Sequence, residues 1–362
     1  MAASSPTMSL WLWLKGLWTV IIDTIGQRFR CRHLPKRLPL PHFAHFTCIV
    51  TGSTGGIGME IAREFAASGA HVILAVRNTS NGKKLIEQWT KEREISRGPE
   101  IRAEVMELDL LKLSSVRTFA QEWERRNLPL HALINNAGIF AMNVKQKFSD
   151  DGFEHHLQVN FLGNALLSIL LLPSLLRGAP SRIINVNSCM HHMGFVDPED
   201  LNITKRRYSS TGAYSGSKLA QHLFSRILHM RIPKEAGIDV ILTHPGEVMT
   251  QMTRDLPKII QKVEVISSVF RLSAAEGARG VIFCATDKQV FAYTRALREM
   301  GQPICPYFSS NCKPADVAKL ANDMETAMKV WNKTLELLDL PADIVEKQFQ
   351  RKEDSATSEV QS

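Results

Sequence analysis

From His45 onward the chain alternates short, uninterrupted apolar runs with longer stretches in which apolar positions return every three or four residues. The runs His45–Val50, His71–Val76, Ile101–Leu108, His131–Ile134, Arg182–Val186 and Asp239–Thr243 have the length and β-branched content of buried strands. Between them, spacings such as Ile61, Phe65 and Ala66, or the long run Asp151–Leu172, predict helices. Strands and helices in regular alternation predict an α/β domain with a parallel sheet.

Ahead of that domain the pattern changes. Met8 to Ile25 is dominated by Leu, Trp, Ile and Val, with Leu10, Leu14, Leu17, Trp18, Ile21, Ile22 and Ile25 at helical spacing and Trp11, Trp13 and Trp18 of the kind found near lipid headgroups. With Lys15 inside it, the run is marginal for spanning a bilayer, and lying in the interface is the competing choice; both stay open. Positive charge follows the apolar run instead of preceding it, which argues against a cleaved signal. The basic stretch Arg28–Arg37 then meets the cytoplasmic face, and Pro35, Pro39 and Pro41 predict an extended spacer. The expected organisation is an anchor over residues 1–27, a basic, proline-rich linker over 28–44, the α/β domain over 45–310, a helical extension over 311–347 and a polar, disordered tail over 348–362.

Charge and cysteine usage narrow the partners. The 362 residues carry a formal charge of +8, but +5 of it lies in residues 1–45, where six basic residues face the single acid Asp23. The basic character is therefore terminal, which argues against nucleic acid as a partner. The six cysteines are scattered, without C-x-x-C or zinc spacing, so reduced thiols, no disulfide and no metal are expected.

Three stretches carry candidate chemistry. The first strand runs into Thr51-Gly52-Ser53-Thr54-Gly55-Gly56-Ile57-Gly58 and then a helix, the context in which backbone can approach a pyrophosphate at a helix N-terminus. The second strand ends at Arg77, where an arginine suits a ribose 2′-phosphate and so favours NADP(H) over NAD(H). Tyr214 and Lys218 stand four apart, one helical turn on one face, where an ammonium would lower the phenol's pKa toward the working range.

Taken with Asn135-Asn136-Ala137-Gly138 after the fourth strand, these motifs in this order resemble the short-chain dehydrogenase/reductase family over about residues 46–310. The resemblance implies a doubly wound parallel sheet of Rossmann type in one catalytic domain, with the substrate above the strand ends. It carries the cofactor loop onto Gly52, Ser53, Thr54, Gly56, Ile57 and Gly58, places Asp109 and Leu110 near the adenine, and adds Asn136 and Ala137, with Asn135 supporting the central strand. Pro245, Gly246, Val248 and Thr250 match the family's P-G-x-V-x-T beside the nicotinamide, and the segment onward to Leu272 is expected to be the substrate lid.

The implied catalytic set is Asn160, Ser188, Tyr214 and Lys218. Tyr214 acts as general acid on the carbonyl oxygen, Ser188 stabilises that oxygen, Lys218 tunes the phenol and meets the nicotinamide ribose, and Asn160 holds a water leading to solvent. Family members commonly have two serines where this chain has Asn187-Ser188, which puts the loop's shape in doubt. His155-His156 and His191-His192 read as helix surface, because adjacent residues share no face. Family members often dimerise through the helices holding Asn160 and Tyr214, so a homodimer is expected at that level.

Within the family, the N-terminal segment, Arg77, the long gap from Ser188 to Tyr214 and the end pattern of Cys312, Trp331 and Leu337 to Leu340 are most similar to the membrane-associated branch of retinol dehydrogenases and the WW-domain oxidoreductase, without a WW domain here. That branch implies a lipophilic alcohol or aldehyde (retinoid, steroid, polyprenoid or fatty aldehyde) and a cytosol-facing domain on the endoplasmic reticulum. Two rivals stand beside it: a non-catalytic NADP-binding scaffold, and a double-bond reductase of a tetrapyrrole such as protochlorophyllide.

Overall fold

The computed structural model describes residues 10–248, 270–302 and 304–349. Helix α1 (Leu10–Cys31) is followed by β1 (Thr47–Thr51), α2 (Gly56–Ala67), β2 (His71–Val76), α3 (Thr79–Ile95), β3 (Ala103–Glu107), α4 (Leu113–Arg125) and β4 (Ala132–Asn135). The second half carries α5 (His155–Leu157), a π-turn at Gln158–Leu162 that runs into α6 (Gly163–Leu170), then α7 (Leu172–Arg177), β5 (Ser181–Val186), α8 (Ser210–Arg231) and β6 (Ile238–Thr243). Helices Ala274–Thr286 and Lys288–Glu299, strand β7 (Tyr307–Phe308) and helix Met324–Leu337 follow.

The seven strands form one sheet in the order β3-β2-β1-β4-β5-β6-β7, every pair parallel. Alternate strand residues feed two cores, as strands covered on both faces require. Ile49, Ile73 and Ile183 face a core with Phe119, Phe161 and Phe224, while Cys48, Val50 and Leu74 face one with Ile61, Phe65 and Val281. The order reverses between β1 and β4, which opens the crevice in which such sheets bind ligands.

The doubly wound expectation holds, and the strand bounds shift by at most two residues, with β2 unchanged. β7, only two residues long, has no apolar run to announce it. The helix expected over 151–172 begins only at His155, because Glu154 caps it by accepting from Leu157 N at 2.8 Å, and it widens into the π-turn at Asn160. The residues expected to form an extended spacer lie against the body. Helix α1 continues through Arg28 and Arg30 to Cys31, Arg37 pairs with Glu60 and Glu64, Arg279 donates to the Pro35 carbonyl at 2.7 Å, and Leu38, Leu40 and Phe43 pack on the core.

Helix Met324–Leu337 closes the outer side of α8, with Trp331 stacked on Phe224 at 4.8 Å between ring centroids. That helix covers one side of α8, one of the two helices through which a homodimer was expected. Among the described residues, no helix is long and apolar enough to cross a membrane.

Candidate active site

The loop after β1 is shaped by backbone needs. Gly52 and Gly56 sit at φ +65° and +54°, a region costly for residues with a Cβ. A Cβ on Gly58 would overlap Asn136 Nδ2 and lie 2.5 Å from the Gly52 carbonyl oxygen. Asn136 Nδ2 in turn donates to the Thr51 carbonyl at 2.9 Å, and Thr51 Oγ1 accepts from Ala137 N at 2.9 Å, so the loops after β1 and β4 are pinned to each other.

Around Gly55 a Cβ would meet nothing within 4 Å, and no side chain caps α2. Ser53 is fully buried, and its hydroxyl has no partner among the described residues. Uncapped N–H groups, an orphaned hydroxyl and open backbone in one place fit a dinucleotide pyrophosphate. Thr54 and Ile57 complete this loop, both half-buried. Arg77 is exposed immediately beyond β2, and Asp109 and Leu110 follow β3, where the Asp109 carboxylate accepts from Leu111 N at 3.1 Å. Asn135 donates to Asn185 Oδ1 at 2.8 Å and to Ser168 Oγ at 2.9 Å, tying β4 to β5 and α6.

Tyr214 and Lys218 share a face of α8, with Lys218 Nζ 5.9 Å from the centroid of the phenol ring. Ser188, at the end of β5, accepts from Met190 N at 3.2 Å, and its hydroxyl lies near enough to the Tyr214 phenol to pull that phenol's pKa down. The three side chains thus meet at one sheet end. Their electrostatics differ from the expectation. Burial drives the Tyr214 phenol well above its ordinary value, and the contribution that lowers it comes from Ser188. Lys218 Nζ donates instead to the Val186 carbonyl at 2.9 Å, and burial pushes its amine down to about 8.

Asn160 lies in the π-turn, its side chain fully engaged. Oδ1 accepts from Ile139 N at 2.7 Å, and Nδ2 donates to the Ile139 carbonyl and to Ser217 Oγ, each at 3.0 Å. It therefore fastens the loop after β4 to the helix that carries Tyr214. Asn187, the departure from a second serine, does parallel work: Nδ2 donates to the Lys218 carbonyl at 2.9 Å and to Gln221 Oε1 at 3.0 Å, while Oδ1 accepts from Ser188 N at 2.8 Å. Pro245, Gly246 and Val248 follow β6, with Gly246 at φ +88°. Thr250 and most of the expected lid lie outside the described residues.

Two histidines read as surface are buried. His156 bonds through Nδ1 to Glu154 at 2.8 Å and meets Tyr214 edge-on, and His191 donates from Nδ1 to the Ser188 carbonyl at 2.7 Å while Nε2 accepts from Ala318 N at 3.1 Å. Adjacent residues point to different sides, so in a segment covered by other elements one of each pair turns inward; His155 and His192 are the half-buried members. Asp23, Gln27 and Glu247, which also reach this region, carried no signal in the sequence beyond being polar in or near apolar stretches.

The fold and this site define a class: the chain belongs to the short chain dehydrogenase family, a class of oxidoreductases, whose model matches residues 47–260. It is similar to "Dehydrogenase/reductase SDR family member FEY" of Arabidopsis thaliana, 50% identical over 337 residues, covering 92% of this chain and 89% of that protein. Human retinol dehydrogenase 12 is 36% identical over 290 residues, covering 80% and 85%, which bears out the branch expected from the motifs. Among solved structures, the Pseudomonas aeruginosa RhlG/NADP active-site complex superposes with a TM-score of 0.54 at 25% identity, covering 70% of this chain and 94% of that one.

Proposed function

We propose that this protein is an NADP(H)-dependent oxidoreductase that moves a hydride between the nicotinamide and the carbonyl or alcohol carbon of a lipophilic substrate. The observation that carries the reading is the meeting of the Ser188 hydroxyl, the Tyr214 phenol and the Lys218 amine on the side of the sheet where the glycine loop opens. When bound, NADP(H) supplies the hydride. The Gly52–Gly58 loop and Ser53 would hold its pyrophosphate, Arg77 its 2′-phosphate, and Pro245–Val248 the nicotinamide end.

The chain's own residues handle the oxygen and its proton. Ser188 donates a hydrogen bond to the substrate oxygen as negative charge grows there, and Tyr214 gives that oxygen its proton. A phenol pushed upward by burial keeps its proton at neutral pH, which suits the acid needed for carbonyl reduction. The Lys218 ammonium beside the ring stabilises the phenolate left behind. Asn160 keeps the loop beside Lys218 in place: a Cβ on Gly138 would lie 3.2 Å from Asn160 Oδ1 and 3.6 Å from Lys218 Nζ.

Support for a water-poor substrate comes from α1. Leu10, Trp11, Trp18 and Phe29 are 64–72% exposed, with Leu14, Ile22 and Ile25 also outward, a stripe suited to lying in a membrane surface that concentrates such molecules. Absence of the protein from a carbonate-washed membrane pellet would remove that support. The decisive experiment follows NADPH absorbance with detergent-held protein across lipophilic aldehydes and ketones. Turnover of at least one is expected, with Tyr214→Phe losing about 10²-fold or more; a Phe variant that keeps most turnover, or a panel that yields none, refutes the proposal. Tighter binding of NADPH than NADH is expected, and equal affinities would leave Arg77 without its role.

A further inference from the structure

Helix α1 docks in an unusual sense. A helix lying on a globular body ordinarily turns its apolar stripe inward, yet here the apolar stripe is outermost and, beside Cys31 packed on Val248 and Leu272, polar side chains make the contact. Gln27 is fully buried. Its Oε1 accepts from Glu247 N at 2.8 Å, and its Nε2 donates to the Glu247 carbonyl at 3.2 Å and the Phe270 carbonyl at 2.8 Å. A Cβ on Gly246 would lie 2.6 Å from that same Oε1, so glycine there is what admits the glutamine.

One turn earlier, Asp23 Oδ2 meets His244 Nε2 at 3.0 Å. His244 Nδ1 accepts from Cys189 N at 3.3 Å, so Nε2 carries the proton and donates it to Asp23. Cys189 is the residue directly after Ser188. Carboxylate, imidazole and thiol lie within 4.8 Å of one another, but a metal is not the reading: both imidazole nitrogens are engaged, and burial holds the Cys189 thiol protonated. At the N-terminal end of the helix a Cβ on Gly16 would overlap the His192 carbonyl, which brings α1 close against the turn Cys189–Met193.

We infer that α1 is a working part of the catalytic centre, in which Gln27 positions the Pro245–Val248 loop and Asp23, through His244, positions the turn that carries Ser188. The inference rests on the oxidoreductase reading for the tasks of those two loops. Both residues are positioning residues. Buried polar partners of this kind also set register: a one-residue rotation of α1, about 100°, would carry Gln27 away from Glu247 and leave its backbone groups without that partner.

The test uses the full chain in detergent, with NADPH affinity measured by fluorescence, turnover at saturating NADPH, and urea unfolding. Gln27→Leu is expected to weaken NADPH binding about 10-fold or more while keeping turnover within about twofold. Asp23→Leu is expected to do the reverse, lowering turnover about 10-fold with NADPH affinity nearly unchanged, and Asp23→Asn, which still accepts from His244, to restore most of it. Arg28→Ala removes a contact of α1 with Glu276 that touches neither loop, and is expected to match the wild type. Should Gln27→Leu fail to fold, Gln27→Glu, isosteric but unable to donate to the two carbonyls, is read in its place. The inference is overturned if the Gln27 and Asp23 variants bind NADPH and turn over like Arg28→Ala, or if both shift affinity and turnover in the same proportion. An active Tyr214→Phe would sink the proposed chemistry while leaving the NADPH-affinity arm readable.

Discussion

Replacing Lys218 with methionine is expected to make this protein more stable while removing its activity. Lys218 is 5% exposed, and burial lowers its amine from 10.5 to about 8. At about 1.36 kcal/mol per pH unit, holding that ammonium in the fold costs about 3 kcal/mol at neutral pH. Methionine fills nearly the same volume without the charge. It forfeits the hydrogen bond to the Val186 carbonyl, worth about 1 kcal/mol, so a net gain of about 2 kcal/mol is expected at pH 7. The sign of the pH dependence follows from the folded pKa lying below the unfolded one. The penalty is complete below pH 8, shrinks as pH climbs toward 10.5 because the unfolded chain then holds more protons than the folded one, and is gone above that. Urea unfolding of both proteins in one detergent buffer at a series of pH values reads this directly, since the difference between them cancels the other titrating groups. The advantage of Lys218→Met should fall with rising pH and reverse to a deficit of about 1 kcal/mol in strong alkali. A variant less stable than wild type at pH 7, or an advantage that does not change with pH, refutes the reasoning.

Gly58→Ala forces a Cβ against the Gly52 carbonyl at 2.5 Å, backbone that has no room to yield, so NADPH affinity measured by fluorescence should drop about 10-fold or more even where the variant folds. Trp331→Ala empties a fully buried site stacked on Phe224 and should lower the free energy of unfolding by about 3–5 kcal/mol in urea titration. Trp331→Phe should cost clearly less, because the indole nitrogen has no hydrogen-bond partner to lose among the described residues.

Much of this molecule was legible in its residues because the signals are local. Strand runs, the glycines after β1 and a tyrosine one helical turn from a lysine each depend on a few neighbouring positions, and the sheet follows from their order. What stayed hidden depends on contacts far apart in the chain. Asp23 and Gln27 carry no local sign of a role, because their partners His244 and Glu247 lie 221 and 220 residues away. The sequence marks Asn160 only through the family resemblance, and its bond to the backbone of Ile139, 21 residues away, has no local signal. His156 and His191 were misread by applying a surface rule to segments that other elements cover. The electrostatics of Tyr214 eluded spacing altogether: counting residues reveals a neighbouring cation but not how dry the pocket is.

The last helix, Met324–Leu337, also bears on how the protein is made. Translation delivers every chemical group of the catalytic set more than a hundred residues before the segment that roofs α8, so for that interval Phe224 has no Trp331 to lie against. A nascent or prematurely ended chain would carry the full set of motifs and still expose a greasy flank, which is what chaperones and proteases recognise. Reading-frame errors late in the message therefore strike the structural integrity of this enzyme as surely as changes at its reacting groups.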